Sequence, residues 1–224
     1  MTDRGRRGAE TASTHYEVRG NAIDESRRLL LKAATLAPIA LWLPRGAAAA
    51  VDDVRGHYYI NGRIAGSRQA PAPRDRIVVP HDGQVSFSVG EDAYRIRGGS
   101  VVELGSDDGT VVNALRVLTG ALLGVFGHRR HPATITTSVA TIGIRGTAVY
   151  IASKPDSLYF CTCYGHTTIS AGGHTENITA THHNAHEITR TPRNPMVMQV
   201  AQVRDHTDEE LRQLEGYVGR TPPW

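Results

Sequence analysis

The stretch Gln84-Val85-Ser86-Phe87-Ser88-Val89 decides how this chain folds. Val85, Phe87 and Val89 alternate with polar residues. A period of two puts the apolar set on one face of a strand and the polar set on the other, one buried and one wet. Gly90-Glu91-Asp92 turns the chain after it, and Pro80-His81-Asp82-Gly83 separates it from the β-branched run at 76–79.

The same alternation of short apolar runs and turn residues extends in both directions. Upstream, Tyr58-Tyr59-Ile60 leads into Asn61-Gly62, a hairpin pair in which both residues tolerate positive φ. Downstream, strands are expected at 94–96, 100–104, 133–137, 140–144, 148–152, 157–164, 178–181 and 185–189. Residues 113–126 read two ways. Leu115, Leu118, Leu122 and Val125 suit a helical face, but Gly120 and Gly124 interrupt it, which favours two short buried strands around a tight turn. The fold class is all-β.

The C-terminus changes character. Thr207-Asp208-Glu209-Glu210 is a capping box, a hydroxyl followed three residues later by a glutamate. Leu211, Leu214 and Val218 then recur at helical spacing. An amphipathic helix over 208 to about 218 should pack on the β body, with Pro222-Pro223 ending it.

At the other end, Ser26-Arg27-Arg28-Leu29-Leu30-Leu31-Lys32 precedes an apolar run from Ala33 to Leu43 and the small-residue tetrad 47–50. Charged start, short apolar core and small-residue cleavage site are the three parts of a signal peptide. The paired arginines resemble the twin-arginine export signal, with Leu30 where an aromatic is usual. The apolar core is shorter than the ~18 residues a membrane span wants. Cleavage, leaving no stable membrane span, is therefore favoured over a retained anchor. The expected organisation is an n-region and signal peptide over 1–50, a β domain over 51–192 and a helical extension over 193–224. The expected location is the periplasm.

Charge supports that division. Residues 1–50 carry eight Lys/Arg and five Asp/Glu, and the remainder carries seventeen of each sign. The basic excess behind the sequence pI of about 9.0 thus belongs to the export segment. No electrostatic footprint for nucleic acid is left in the body.

Three stretches of the body resemble the FecR domain family: Asn61-Gly62-Arg63-Ile64-Ala65, the aliphatic segment 115–123, and Ala140-Thr141-Ile142-Gly143-Ile144-Arg145-Gly146-Thr147. The last matches that family's T-x-x-A-x-x-x-x-R-G-T signature. The likeness covers about 54–190. It implies a two-layer β-sandwich or β-roll of many short strands, and a periplasmic module that binds a protein partner or small ligand or relays its signal. The family's best-known members are transmembrane anti-sigma regulators of iron uptake. Their sigma-binding domain and membrane span have no counterpart here, so anti-sigma activity is not carried over. Gly143 and Gly146 suit a bulge or a close backbone approach, and Arg145 is placed to pair with a carboxylate.

The two cysteines, Cys161 and Cys163, stand two apart in an expected strand, so both sulfurs project from one face. With His182, His183 and His186 downstream they would make a tetrahedral set for zinc, iron or copper. His166 and His206 are outlying candidates, and His174 lies between. Two other readings stay open. One is a disulfide or redox pair, although an extended Cys-x-Cys holds its Cα atoms near the ~7 Å limit for bridging. The other is a pair of thiols packed as small hydrophobes. Catalysis is not expected. There is no G-x-S-x-G elbow, phosphate loop or H-E-x-x-H helix, and Asp107-Asp108 and Glu209-Glu210 read as a solvated turn and a first helical turn.

Overall fold

The computed structural model describes residues 49–107, 109, 111–191 and 197–224. Of the expected export segment, 1–50, the residues up to 48 lie outside them, and Ala49 and Ala50 open the first strand. Among the described residues no helix is long and apolar enough to cross a membrane.

Strands follow one another almost without interruption, as the turn spacing predicts. They are β1 (Ala49–Arg55), β2 (Tyr59–Ile60), β3 (Arg63–Ile64), β4 (Arg76–Val79), β5 (Gln84–Val89), β6 (Asp92–Arg97), β7 (Ser100–Gly105) and β8 (Ala114–Val125). After these come β9 (Ala133–Thr136), β10 (Thr141–Ile144), β11 (Ala148–Ser153), β12 (Ser157–Ala171), β13 (His174–Ala180), β14 (Asn184–Thr189) and β15 (Val197–Val200). One helix, α1 (Asp208–Tyr217), closes the chain. The Asn61-Gly62 hairpin forms as expected, with φ of 51° and 80° at its two central residues.

The strands make two sheets. Sheet A runs β1-β5-β6-β8-β11-β12-β14-β15, all antiparallel. Sheet B runs β3-β2-β4-β7-β8-β9-β10-β12-β13, with a parallel step only at β8–β9. Strands β8 and β12 belong to both. The two inner faces bury one large core that includes Phe87, Tyr94, Phe126, Ile142, Ile151 and Phe160.

Three expectations are corrected. The segment 113–126 is one strand that changes sheet, not two strands about a turn. Residues up to Thr119 pair with β7 and those from Gly120 pair with β11. Gly120 makes the corner at φ +86°, and β12 bends in the same way at Gly165, φ +88°. Second, the polar face of β5 is not wet. All six of its residues are buried, because α1 packs on the outer face of sheet A over β5, β6 and β8. Third, the helix stops where expected, near 218, but a glycine and not Pro222-Pro223 ends it. Gly219 is left-handed at φ +70°, and the Gly219 and Arg220 N–H groups bond back to the Gly216 and Glu215 carbonyls. That closes a Schellman motif.

The Gly120 corner is crowded as well as left-handed. A Cβ there would lie 2.2 Å from Ser100 Oγ and 2.4 Å from Ser100 Cα. Ser100 Oγ itself bridges the Ala121 N–H (2.8 Å) and carbonyl (3.2 Å). Gly120→Ala is therefore expected to cost about 2 kcal/mol or more in urea unfolding. A loss within 0.5 kcal/mol, the range of an ordinary surface change, would contradict this account of the corner.

Candidate metal centre

Cys161 and Cys163 sit on β12 with their side chains outward from the inter-sheet core. Both are fully buried beneath the C-terminal segment, in a second apolar cluster with Tyr150, Tyr164, Leu211 and Leu214. Both are free thiols. The strand period of two gives them one face, as read from the sequence.

Two histidines complete the group. His183 follows β13 and is held at φ +46° while its backbone N–H bonds to the Cys163 carbonyl at 2.8 Å. His206 stands one residue before Thr207, which caps α1 with the expected capping box. The loop that carries His206 is tied down by Tyr159, whose hydroxyl donates to the Gln202 carbonyl (3.1 Å) and accepts from the Arg204 N–H (3.0 Å). The imidazole of His206 stacks on Tyr150 at 4.7 Å between centroids.

The four donor atoms lie within 4.8 Å of one another. Cys161 Sγ is 3.6 Å from His183 Nδ1, Cys163 Sγ is 3.4 Å from His206 Nε2, and the two nitrogens are 3.2 Å apart. The far nitrogens are both occupied. His206 Nδ1 donates to the Arg204 carbonyl at 2.8 Å, and His183 Nε2 meets Asp208 Oδ1 at 2.8 Å. A carbonyl and a carboxylate can only accept, so each far nitrogen carries a proton and each near nitrogen keeps its lone pair. Outer partners of this kind orient metal-binding histidines. Two lone pairs and two sulfurs converging on one point need a positive charge between them.

Without an ion, protons supply part of that charge. The bonds from Cys163, His183 and His206 pull the Cys161 thiol down to about 4. Burial pushes the Cys163 thiol well up. The Cys161 sulfur and Asp208 raise His183, and His183 and His182 lower Asp208. Without an ion the site thus draws the proton away from Cys161 and toward His183, while Cys163 holds its own. A divalent ion would displace those protons.

The histidines expected from sequence divide three ways. His183 is in the group. His182 is outside it, half exposed, with Nε2 3.0 Å from Asp208 Oδ1. His186 is a correction: Ala185 pairs with Cys161 and His186 with Phe160. One step of register puts His186 on the opposite face, on the side of Phe160 and Ile188. His166 lies on sheet B, bonded to Thr179 at 2.9 Å, and His174 opens β13. His206, only an outlying candidate, supplies the fourth donor. Its place directly before a capping box is the signal that could have found it, because a helix docking on the sheet brings its leading loop with it.

Asp208 reaches the site only through His183 and His182. If the four donors hold a zinc ion, Asp208→Asn should leave the fold intact and lower zinc affinity roughly 10–100-fold, as loss of an outer-shell partner does. Competition with a chromogenic chelator measures this, and an unchanged affinity would remove Asp208 from the site.

No family model matches the chain, and no curated protein matches it. Among solved structures, two crystal structures of a candidate anti-sigma factor from Parabacteroides distasonis are similar. Each has a TM-score of 0.48, with 9% and 10% identity. The match covers 57% of this chain and 60% of that one, so the chain spans about 60% of that protein's length.

Proposed function

We propose that this chain is a non-catalytic β-sandwich binding module, exported and of the FecR type, stapled by one zinc ion on Cys161, Cys163, His183 and His206. The observation that carries the metal is the convergence of four donor atoms whose histidines are already oriented by outer partners. Two thiolates and two imidazoles in a closed set match structural zinc sites, which use four protein ligands and keep no open position. The ion would join β12 of the sheet to the segment leading into α1.

Cys161, His183 and Asp208 also stand in the order nucleophile, base and orienting carboxylate. That order would serve a redox or nucleophilic protein, the competing reading. Burial favours the resident ion: both sulfurs have 0% exposure, which leaves a substrate no approach.

Elemental analysis with thiol titration tests the metal. One zinc per chain, lost in the Cys161→Ser/Cys163→Ser variant, is the expected result. Metal-free protein with two unreacted or bridged cysteines would end the zinc reading. Export rests on Arg27-Arg28, the short apolar run and the alanines at 47–50. The twin-arginine route moves folded proteins, so zinc could be loaded before export. Cell fractionation should find a shortened chain in the periplasm, and an intact chain confined to the cytosol would remove the export assignment.

A further inference from the structure

Gly143 has no backbone reason to be glycine. It lies inside β10, and its φ is not among the positive ones. A Cβ there would meet nothing closer than Thr168, at 3.8 Å. The other strand glycines of the described residues differ: Gly120 and Gly165 are left-handed, and a Cβ at Gly105 or Gly124 would crowd Ala114 or Phe126. A glycine in a strand interior weakens the strand, and one with room for a side chain marks a place where something else approaches the backbone.

Register shows what surrounds the gap. Gly143 pairs with Thr134 on one side and Thr168 on the other, and Thr168 pairs with Asn177. These side chains alternate with Ile142, Ile144 and Ile178, which are buried in the core, so the row faces outward. A depression of about 360 Å³ lies over Gly143, with Arg145, His166, Thr168, Asn177 and Thr179 around it. None of its lining residues is acidic. Arg145 is exposed and, among the described residues, has no carboxylate partner, contrary to the pairing expected from sequence. Thr168 donates to Asn177 Oδ1 at 2.9 Å, which leaves the Asn177 amide hydrogens unspent.

A guanidinium and an amide present donors, so the complementary ligand is rich in acceptors and negatively charged. The volume is at the small end for ligand sites, and the hydroxyls at Thr168 and Thr179 match a polyhydroxy compound. We propose that the Gly143 depression on sheet B binds a monosaccharide-sized anion, a sugar bearing a carboxylate or phosphate, with Arg145 taking the oxyanion and the Gly143 backbone lying beneath the ring. The site lies on the outer face of sheet B, whereas the zinc ligands lie on the outer face of sheet A. Either reading can fail without the other.

Titration calorimetry of the full chain with glucuronate, glucose 6-phosphate and glucose at matched ionic strength tests the proposal. At least one of the anionic sugars should bind saturably, and whichever binds tells carboxylate from phosphate, while glucose should not bind. Arg145→Ala should weaken binding about tenfold or more. Gly143→Val puts a branched side chain that strands favour where the sugar ring would rest on the backbone, so it should abolish binding while the melting temperature holds or rises. Three results overturn the proposal: neither anion binding at millimolar concentration, glucose binding as well as the anions, or Gly143→Val binding like the parent. Arg145→Ala, a change at an exposed side chain, keeps the test available should the valine variant misfold.

Discussion

On the proposed zinc site, removing the ion, by chelation or by His206→Ala, is expected to free the C-terminal segment from sheet A while the sandwich stays folded. The inner core between the sheets contains none of the four ligands, so it does not need the ion. On that proposal the outer cluster does: Cys161 and Cys163 sit in it beside Leu211 and Leu214 of α1, and His206 is the one proposed ligand supplied by the segment that covers them. With free zinc at a thousandfold excess over its dissociation constant, mass action adds about 4 kcal/mol to the folded state. At roughly 2–4 °C per kcal/mol for a chain of this size, melting should fall by roughly 8–16 °C. Hydrogen exchange should speed up over 201–224 and remain slow in β5, β6 and β8. Trp224 gives a second readout, since its ring lies 4.7 Å from that of His182 and 6.0 Å from that of His183. Loss of protection spread evenly over the chain would mean that the ion supports the whole fold. No change in 201–224 would mean that it supports none of it.

Glu210→Ala should be a strongly damaging change at the helix. Arg95 lies on β6 with only 4% of its side chain exposed. It bonds Ser86 Oγ through Nε (3.0 Å), Glu210 through Nη1 (3.2 Å) and Gln213 through Nη2 (3.0 Å). Arg97 reaches the same carboxylate at 2.9 Å and the Asp205 carbonyl at 2.8 Å. Glu210 also accepts from the Thr207 N–H, completing the cap. Removing one partner of a buried pair leaves an uncompensated charge and costs about 3–5 kcal/mol. Its neighbour provides the control. Glu209 is 67% exposed and 3.5 Å from an exposed Arg212, so Glu209→Ala should stay within about 1 kcal/mol. Urea unfolding of both variants decides the matter, and equal losses would show that the Arg95 cluster does not hold the helix.

What could be read from the residues depended on whether the signal was local. The strand at 84–89, the Asn61-Gly62 hairpin and the Thr207–Glu210 cap each need only neighbours in the chain, and each is found in the structure. The same-face geometry of Cys161 and Cys163 is equally local. The choice of histidines was not. It turned on a register between β12 and β14 that differs by one residue between a ligand and a core side chain, and on a helix that folds back over the sheet. Gly120 was ambiguous for a related reason. A left-handed glycine looks the same in sequence whether the chain reverses there or carries on into a second layer. The buried serines of β5 belong to the same class, since only the docked helix takes them out of water.

The corners at Gly120 and Gly165 bear on how the molecule comes apart. Each joins two half-strands that serve different layers, so peeling either layer away would tear residues out of the other. The sandwich has no seam along which it can be split, and no stretch of sequence that could be lifted out as an independent half. It should melt in one step, and a tryptic map should show trimming at the ends before any cut inside.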